Sequence, residues 1–286
     1  MTRYLRRIEE SQGLKISSRR AYESAWRAYL VFLAKQGLNA PQAEPHHVQA
    51  FLQCRQRTTA LRYGRLFERV YAQALSDKKG VKNPFSALKS LLETQEERRP
   101  SVALALPSVA ELIRRLPEPQ DWQEHRDHAA VVLSVSAGLR LRELRELEVV
   151  QLVPRSNGLE VQPRGRTVRS REILLDQDSA TFLQKWFDAR NSLKFARPSP
   201  YVFPARSGQA IPVNTFYRRI RKLMLHLVGE GILPRFGVGV LRATFAHRYA
   251  SDDRVVQAQR VLGHRRITST LRYLRHIKPV DPKLKV

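Results

Sequence analysis

The chain has one cysteine, Cys54, among 286 residues. No disulfide can close within it and no cysteine-rich metal site exists, which fits a reducing compartment. No apolar run approaches the ~20 residues that cross a bilayer. The first seven residues, Met1-Thr2-Arg3-Tyr4-Leu5-Arg6-Arg7, lack the apolar core of a signal peptide. No internal repeat or low-complexity tract is present. The expected location is therefore the cytoplasm. Negative charge is scarce: 26 Asp and Glu stand against 51 Lys and Arg, a formal net charge of +25. Such a field attracts polyanions. The basic residues run along nearly the whole chain rather than forming a tail, so contact with a polyanion extends over much of the surface. An anionic membrane surface or a ribosomal type of contact needs the same charge. DNA or RNA, bound through phosphates, is the leading expectation.

With 42% hydrophobic residues the chain has enough apolar material for real cores. In Ser18–Gly37 the residues Tyr22, Trp26, Tyr29, Leu30, Phe32 and Leu33 recur at helical spacing, and Gly37 ends the helix. Pro45–Gln56 and Thr58–Leu75 read as further helices. Residues 1–93 thus form a small basic helical domain. Residues 94–107 read as a linker. Ser108 and Glu111 form a capping box that opens a second domain, 108–286. Helices are expected at Ser108–Leu116, Arg126–Val135 and Arg140–Leu147. Three short strands follow, Gln151–Pro154, Leu159–Gln162 and Arg169–Leu175, with Asn157-Gly158 as a hairpin signal. The chain turns helical again from Ser179, and Asn214 is expected to cap a basic helix with Phe216, Ile220, Leu223 and Leu227 inward. The fold class is mainly α, with a small antiparallel sheet in the second domain.

Three segments carry chemistry: Gly138-Leu139-Arg140-Leu141-Arg142-Glu143-Leu144, Leu241-Arg242-Ala243-Thr244, and Leu262-Gly263-His264 through Tyr273. Cleaving a phosphodiester without a metal takes a nucleophile, charge to neutralise the phosphorane, and a proton for the leaving oxygen. The Tyr273 hydroxyl can attack. Arginine binds phosphate through a planar fork that keeps its charge, which suits Arg140 and Arg242 to the non-bridging oxygens. His264 can donate a further hydrogen bond. Glu143, at i+3 from Arg140, can hold an arginine in place. Taken singly, each has a plainer reading: Arg140, Arg142 and Arg145 as a solvated basic face, Tyr273 as a core or surface residue, and Glu143 as purely structural.

In this order and at these separations the segments resemble the boxes of tyrosine recombinases of the phage integrase family: Gly-Leu-Arg-x-x-Glu-Leu, a second Arg, and Leu-Gly-His with a tyrosine nine residues on. The resemblance runs from about Ser17 to about His276, and the N-terminal domain is similar to the family's core-binding (SAM-like) domain. It implies site-specific breakage and rejoining of double-stranded DNA at inverted-repeat sites, through a 3′-phosphotyrosine at Tyr273 and a free 5′-hydroxyl. Four subunits would each cut one strand, with an accessory protein as a possible partner and association with the nucleoid. No metal or cofactor is implied. The basic residues Arg218, Arg219, Arg221, Lys222 and Arg166 become groove-facing contacts, where a solvated surface is the alternative.

Two positions depart from the pattern. Where the family has a histidine three residues before its second arginine, this chain has Gly239; His247 lies beyond Arg242 and is expected to point elsewhere. Where the family has a lysine before the third strand, no lysine occurs between Lys89 and Lys185. Arg169 is the matching position and Arg166 the second choice. A guanidinium keeps the charge but is a poor proton donor, and losing a general acid costs ~10²–10⁴ in rate. A recombinase-derived protein that binds specific DNA without cutting it is the alternative function. Pro279 and Pro282 discourage a helix after Tyr273.

Overall fold

A computed structural model describes residues 5, 16–55, 57–75, 83–86, 101–104, 108–164, 170–195, 198–228, 238–249, 255–275 and 277–280. The chain divides into two compact units, Met1–Arg98 and Arg99–Val286.

In the first unit, α1 (Ile16–Ala34), α2 (Pro45–Gln53) and α3 (Arg57–Leu75) surround an aromatic core. Trp26, Tyr29, Phe51, Phe67, Tyr71 and Phe85 are each at most 2% exposed. Edge-on packing such as Trp26 against Phe67, 5.0 Å between centroids, suits the ring quadrupoles. Two buried hydroxyls are satisfied in series: Tyr29 Oη lies 3.1 Å from Tyr71 Oη, which donates to the Ala40 carbonyl at 2.7 Å. Gly37, at φ +71°, closes α1, as expected. Pro45 opens α2 where its missing N–H costs nothing.

The second unit contains α4 (Val109–Arg115), α5 (Trp122–Ala137), α6 (Leu141–Arg145), α7 (Gln177–Asn191), α8 (Val213–Val228), α9 (Gly239–Tyr249), α10 (Val255–Leu262) and α11 (Ile267–Arg275). Helix α5 is the centre of the core, with Ala129 to Leu133 all fully buried. The Ser108 cap is present, accepting from the Glu111 N–H at 3.2 Å. Strands β2 (Leu152–Arg155), β3 (Gly158–Val161) and β4 (Ile173–Leu174) form an antiparallel sheet in the order β2-β3-β4. A second sheet pairs β1 (Ser101–Leu104) in parallel with β5 (Ile277–Val280). Among the described residues no helix is long and apolar enough to cross a membrane.

Four expectations need correction. The span read as a linker contains β1, whose Leu104 N–H donates to the buried Thr244 Oγ1 of α9 at 2.8 Å. Asn214 does not cap α8; the helix starts at Val213, and the Phe216 N–H already reaches the Pro212 carbonyl. The third strand is shorter than Arg169–Leu175. Its ladder covers Ile173 and Leu174, paired with Val161 and Glu160. Arg219 is not simply groove-facing, since it pairs with the buried Asp127.

Candidate active site

Helix α5 ends at Gly138, in the left-handed region at φ +61°. A Cβ there would lie 2.3 Å from the Phe245 ring, so the Gly-Leu-Arg segment needs its glycine for conformation and for space. The turn delivers Arg140 to the N-terminus of α6. Glu143 in the first turn of α6 accepts from the Arg140 N–H at 2.8 Å and from its Nη1 at 3.0 Å.

Glu143 is the centre of the arrangement. Its side chain is 4% exposed. Besides Arg140 it receives Arg171 Nη2 at 2.9 Å, and Arg242 Nη1 lies 3.8 Å away. Burial alone would push its carboxyl up. The Arg171 hydrogen bond and charge, the Arg140 N–H and the Arg242 charge together hold it below the ordinary glutamate value. Arg142 and Arg145 pair with Glu146 instead, and Arg145 also reaches the Ile211 carbonyl. Arg140 is therefore set apart from a uniform basic face.

Arg242, on α9, is buried. It donates to the carbonyls of Gly138 and Leu262, one from each of the other two segments. Its Nη2 also lies 3.3 Å from His264 Nε2. A guanidinium only donates, so this contact makes Nε2 the acceptor. Nδ1 then carries the proton and donates to Thr270 Oγ1 at 2.9 Å. His264 is held neutral: burial first, then the charges of Arg242, Arg140 and Arg171, bring its pKa down to about 4.

Gly263, at φ +63°, makes the turn from α10 to His264. A Cβ there would lie 3.0 Å from Arg171 Nη1. A cleft of about 340 Å³ opens here, lined by Arg140, Arg142, Arg265 and His264 together with Glu143 and Glu146. With Arg171 and Arg242 also at Glu143, five arginines stand against two carboxylates, so the cleft suits an anion.

The structure thus brings Arg140, Arg242 and His264 together. Tyr273 stands on α11, which also supplies Thr270; its side chain lies outside the described ones. Arg166 and Arg169 lie outside the described residues. On α8, Arg218 and Lys222 are exposed and Arg221 is half-buried. Gly239 opens α9, and a Cβ there would meet nothing within 4 Å. His247 is exposed, in the last turn of α9.

Three features were missed from the sequence. Arg171, just before β4, alternates in sequence with Ile173 and Leu175, which are 5% and 4% exposed; an arginine in that inward register needs a buried carboxylate. Thr270 is four residues before Leu274 on the packed face of α11, and its burial leaves its hydroxyl for His264. In the first unit, Arg62, Arg65 and Arg69 form an exposed basic stripe along α3.

Residues 107–278, more than half of the chain, match the phage integrase family. Tyrosine recombinase XerD of Shewanella oneidensis is 28% identical over 284 residues, covering 94% of this chain and 89% of that protein. XerC of Pseudomonas entomophila is 31% identical over 155 residues, covering 54% of this chain and about half, 49%, of that protein. Two solved structures share the fold. A lambda integrase dimer bound to a COC′ core site has a TM-score of 0.68 at 18% identity, covering 99% of this chain and 80% of that one. XerH site-specific recombinase in a post-cleavage complex with palindromic difH has a TM-score of 0.72 at 13% identity, covering 93% and 78%. The chain belongs to the phage integrase family, the tyrosine recombinases.

Proposed function

We propose that this protein is a site-specific DNA recombinase that cuts and rejoins duplex DNA through a 3′-phosphotyrosyl intermediate. One observation carries the reading: Arg242 joins segments 104 and 20 residues away, lying against His264 and sharing the buried Glu143 with Arg140. Kinship with XerD over nearly the whole chain supports the reaction class.

In this reading the Tyr273 hydroxyl gives up its proton and attacks the scissile phosphorus. The bond to the 5′-oxygen breaks, and that oxygen takes up a proton to leave as a hydroxyl, so the proton count is unchanged. Phosphate ester bonds are exchanged one for one, so rejoining needs no external energy. Arg140, at the cleft mouth, takes a non-bridging oxygen, and Arg242 adds its charge from behind. His264 joins the same phosphate only once Nε2 takes up a proton and leaves its acceptor role toward Arg242, since Nδ1–H is already given to Thr270. Arg169, or Arg166, supplies positive charge at the leaving oxygen. Residues 1–93 and 108–286 act as core-binding and catalytic domains. Arg218, Arg221 and Lys222 on one, and the α3 stripe on the other, meet DNA phosphates. Inverted-repeat sites, a homotetramer on DNA, and an accessory protein follow from the same reading, as does association with the nucleoid.

The test starts from duplexes selected by this protein from a random-sequence library. A selected duplex is nicked near each candidate position so that a cut strand loses its short end. A protein–DNA adduct on a denaturing gel, absent with Tyr273→Phe, is the expected result. Tight sequence-specific binding with no adduct from either protein would instead establish a binding protein without cleavage.

A further inference from the structure

Arg171 reaches Glu143 from outside the three segments that carry the chemistry. It precedes β4 and lies under the Gly263 turn, with its residue 7% exposed. Nη2 meets Glu143 Oε2 at 2.9 Å and Nη1 meets Oε1 at 3.4 Å, a two-point fork on one carboxylate. Of the three arginines at Glu143, Arg171 matches the carboxylate's burial: both side chains are 4% exposed, against 47% for Arg140 and 10% for Arg242.

A carboxylate buried this deeply needs a cation. If Arg140 were its main neutralising partner, a phosphate in the cleft would have to compete with Glu143 for the same guanidinium. Arg171 removes that competition by neutralising Glu143 from the buried side. It also ties to the site a chain segment two residues after Arg169. We propose that Arg171 is a positioning residue: it neutralises Glu143 from within, so that Arg140 can turn its charge to a phosphate in the cleft. The identity of that phosphate as DNA rests on the recombinase reading.

The test uses Arg171→Met, Arg171→Lys, Glu143→Gln and the double variant Arg171→Met/Glu143→Gln, in the full chain and at a temperature where each is folded. Two readouts are taken. One is the NMR response of the Arg140 side-chain N–H to inorganic phosphate. The other is the single-turnover rate of adduct formation on a selected nicked duplex at saturating protein, with the duplex Kd measured separately. Arg171→Met is expected to weaken the Arg140 response and to slow adduct formation by ~10²-fold, the order expected for a misplaced catalytic group. The duplex Kd should move by less than ~3-fold, because most phosphate contacts lie elsewhere. Arg171→Lys, which keeps the charge without the fork, should fall between. Adding Glu143→Gln to Arg171→Met should recover part of the loss, since the competing carboxylate is gone.

An Arg171→Met protein with a wild-type phosphate response would overturn the proposal, and so would a double variant no better than the single. If Arg171→Met does not fold, Arg171→Lys against wild type decides. If wild type forms no adduct, the recombinase reading fails, while the phosphate response still decides the role of Arg171.

Discussion

Arg242 and His264 meet at 3.3 Å, and this contact fixes which nitrogen of the histidine carries the proton. Nε2 accepts from the guanidinium and Nδ1–H points to Thr270. His264 therefore sits in the site as a neutral imidazole, and protonating it adds a positive charge to those of Arg140, Arg171 and Arg242.

The first prediction concerns acid. The His264 pKa is brought from its ordinary 6.5 to about 4 by burial and its arginine neighbours. His128, 3% exposed on α5, is also brought to about 4, chiefly by burial. The unfolded chain takes up these protons first, so the stability they confer is complete above about pH 6.5 and falls as pH drops toward 4. Urea midpoints should be lower at pH 5 than at pH 7.5. Replacing His128 with Leu should shrink that difference by up to one proton's worth of slope. Equal midpoints at the two pH values would contradict the assignment.

The second concerns Gly239. A Cβ here meets nothing within 4 Å, and a cavity of about 160 Å³ beside it is lined by Arg140 and Arg242. Gly239→His should fold normally and speed adduct formation, by ~10²-fold if the ring works as a general acid or base. The rate is read on a nicked selected duplex. An unchanged or lower rate in a folded variant would show that the site does not use a side chain there.

The third concerns Gly138. An alanine would bear a left-handed φ, costing ~1–2 kcal/mol, and would overlap Phe245, costing a further ~1–3 kcal/mol by comparison with overpacked cores. It would also shift the carbonyl that Arg242 holds. Denaturant unfolding should show the loss, with adduct formation impaired even where the variant is folded. A loss under ~1 kcal/mol would contradict this packing.

The helices and much of both cores were readable in the sequence because apolar spacing is local, and Trp26, Tyr29, Phe216 and Ile220 needed only their periodicity to be placed inside. The site was half readable. Arg140, Arg242, His264 and Tyr273 stand in recognisable strings. Arg171 does not, because its meaning depends on Glu143, 28 residues away. Asn214 was misread because a good capping residue one position inside a helix looks, in sequence, like the cap itself. Strand β1, Ser-Val-Ala-Leu, was passed over because it is short, follows the polar run Thr94–Pro100, and finds its partner, β5, at the other end of the domain.

The fourth prediction concerns the first unit. Arg62, Arg65 and Arg69 are exposed along α3. Replacing each with Gln should weaken duplex binding about equally for selected and unrelated sequences. The slope of log K against log salt should fall by ~1 per arginine. A loss confined to the selected sequence would mean that these residues read bases rather than phosphates.

The central claim is that Tyr273 joins DNA covalently. The direct measurement is mass spectrometry of the peptide left on DNA after protease digestion of the adduct, with end-labelling of the released strand. The account predicts a single modified peptide bearing Tyr273 linked to a 3′-phosphate, and a free 5′-hydroxyl on the other side. An adduct on another residue, a 5′-phosphate linkage, or no adduct on any selected duplex would contradict it.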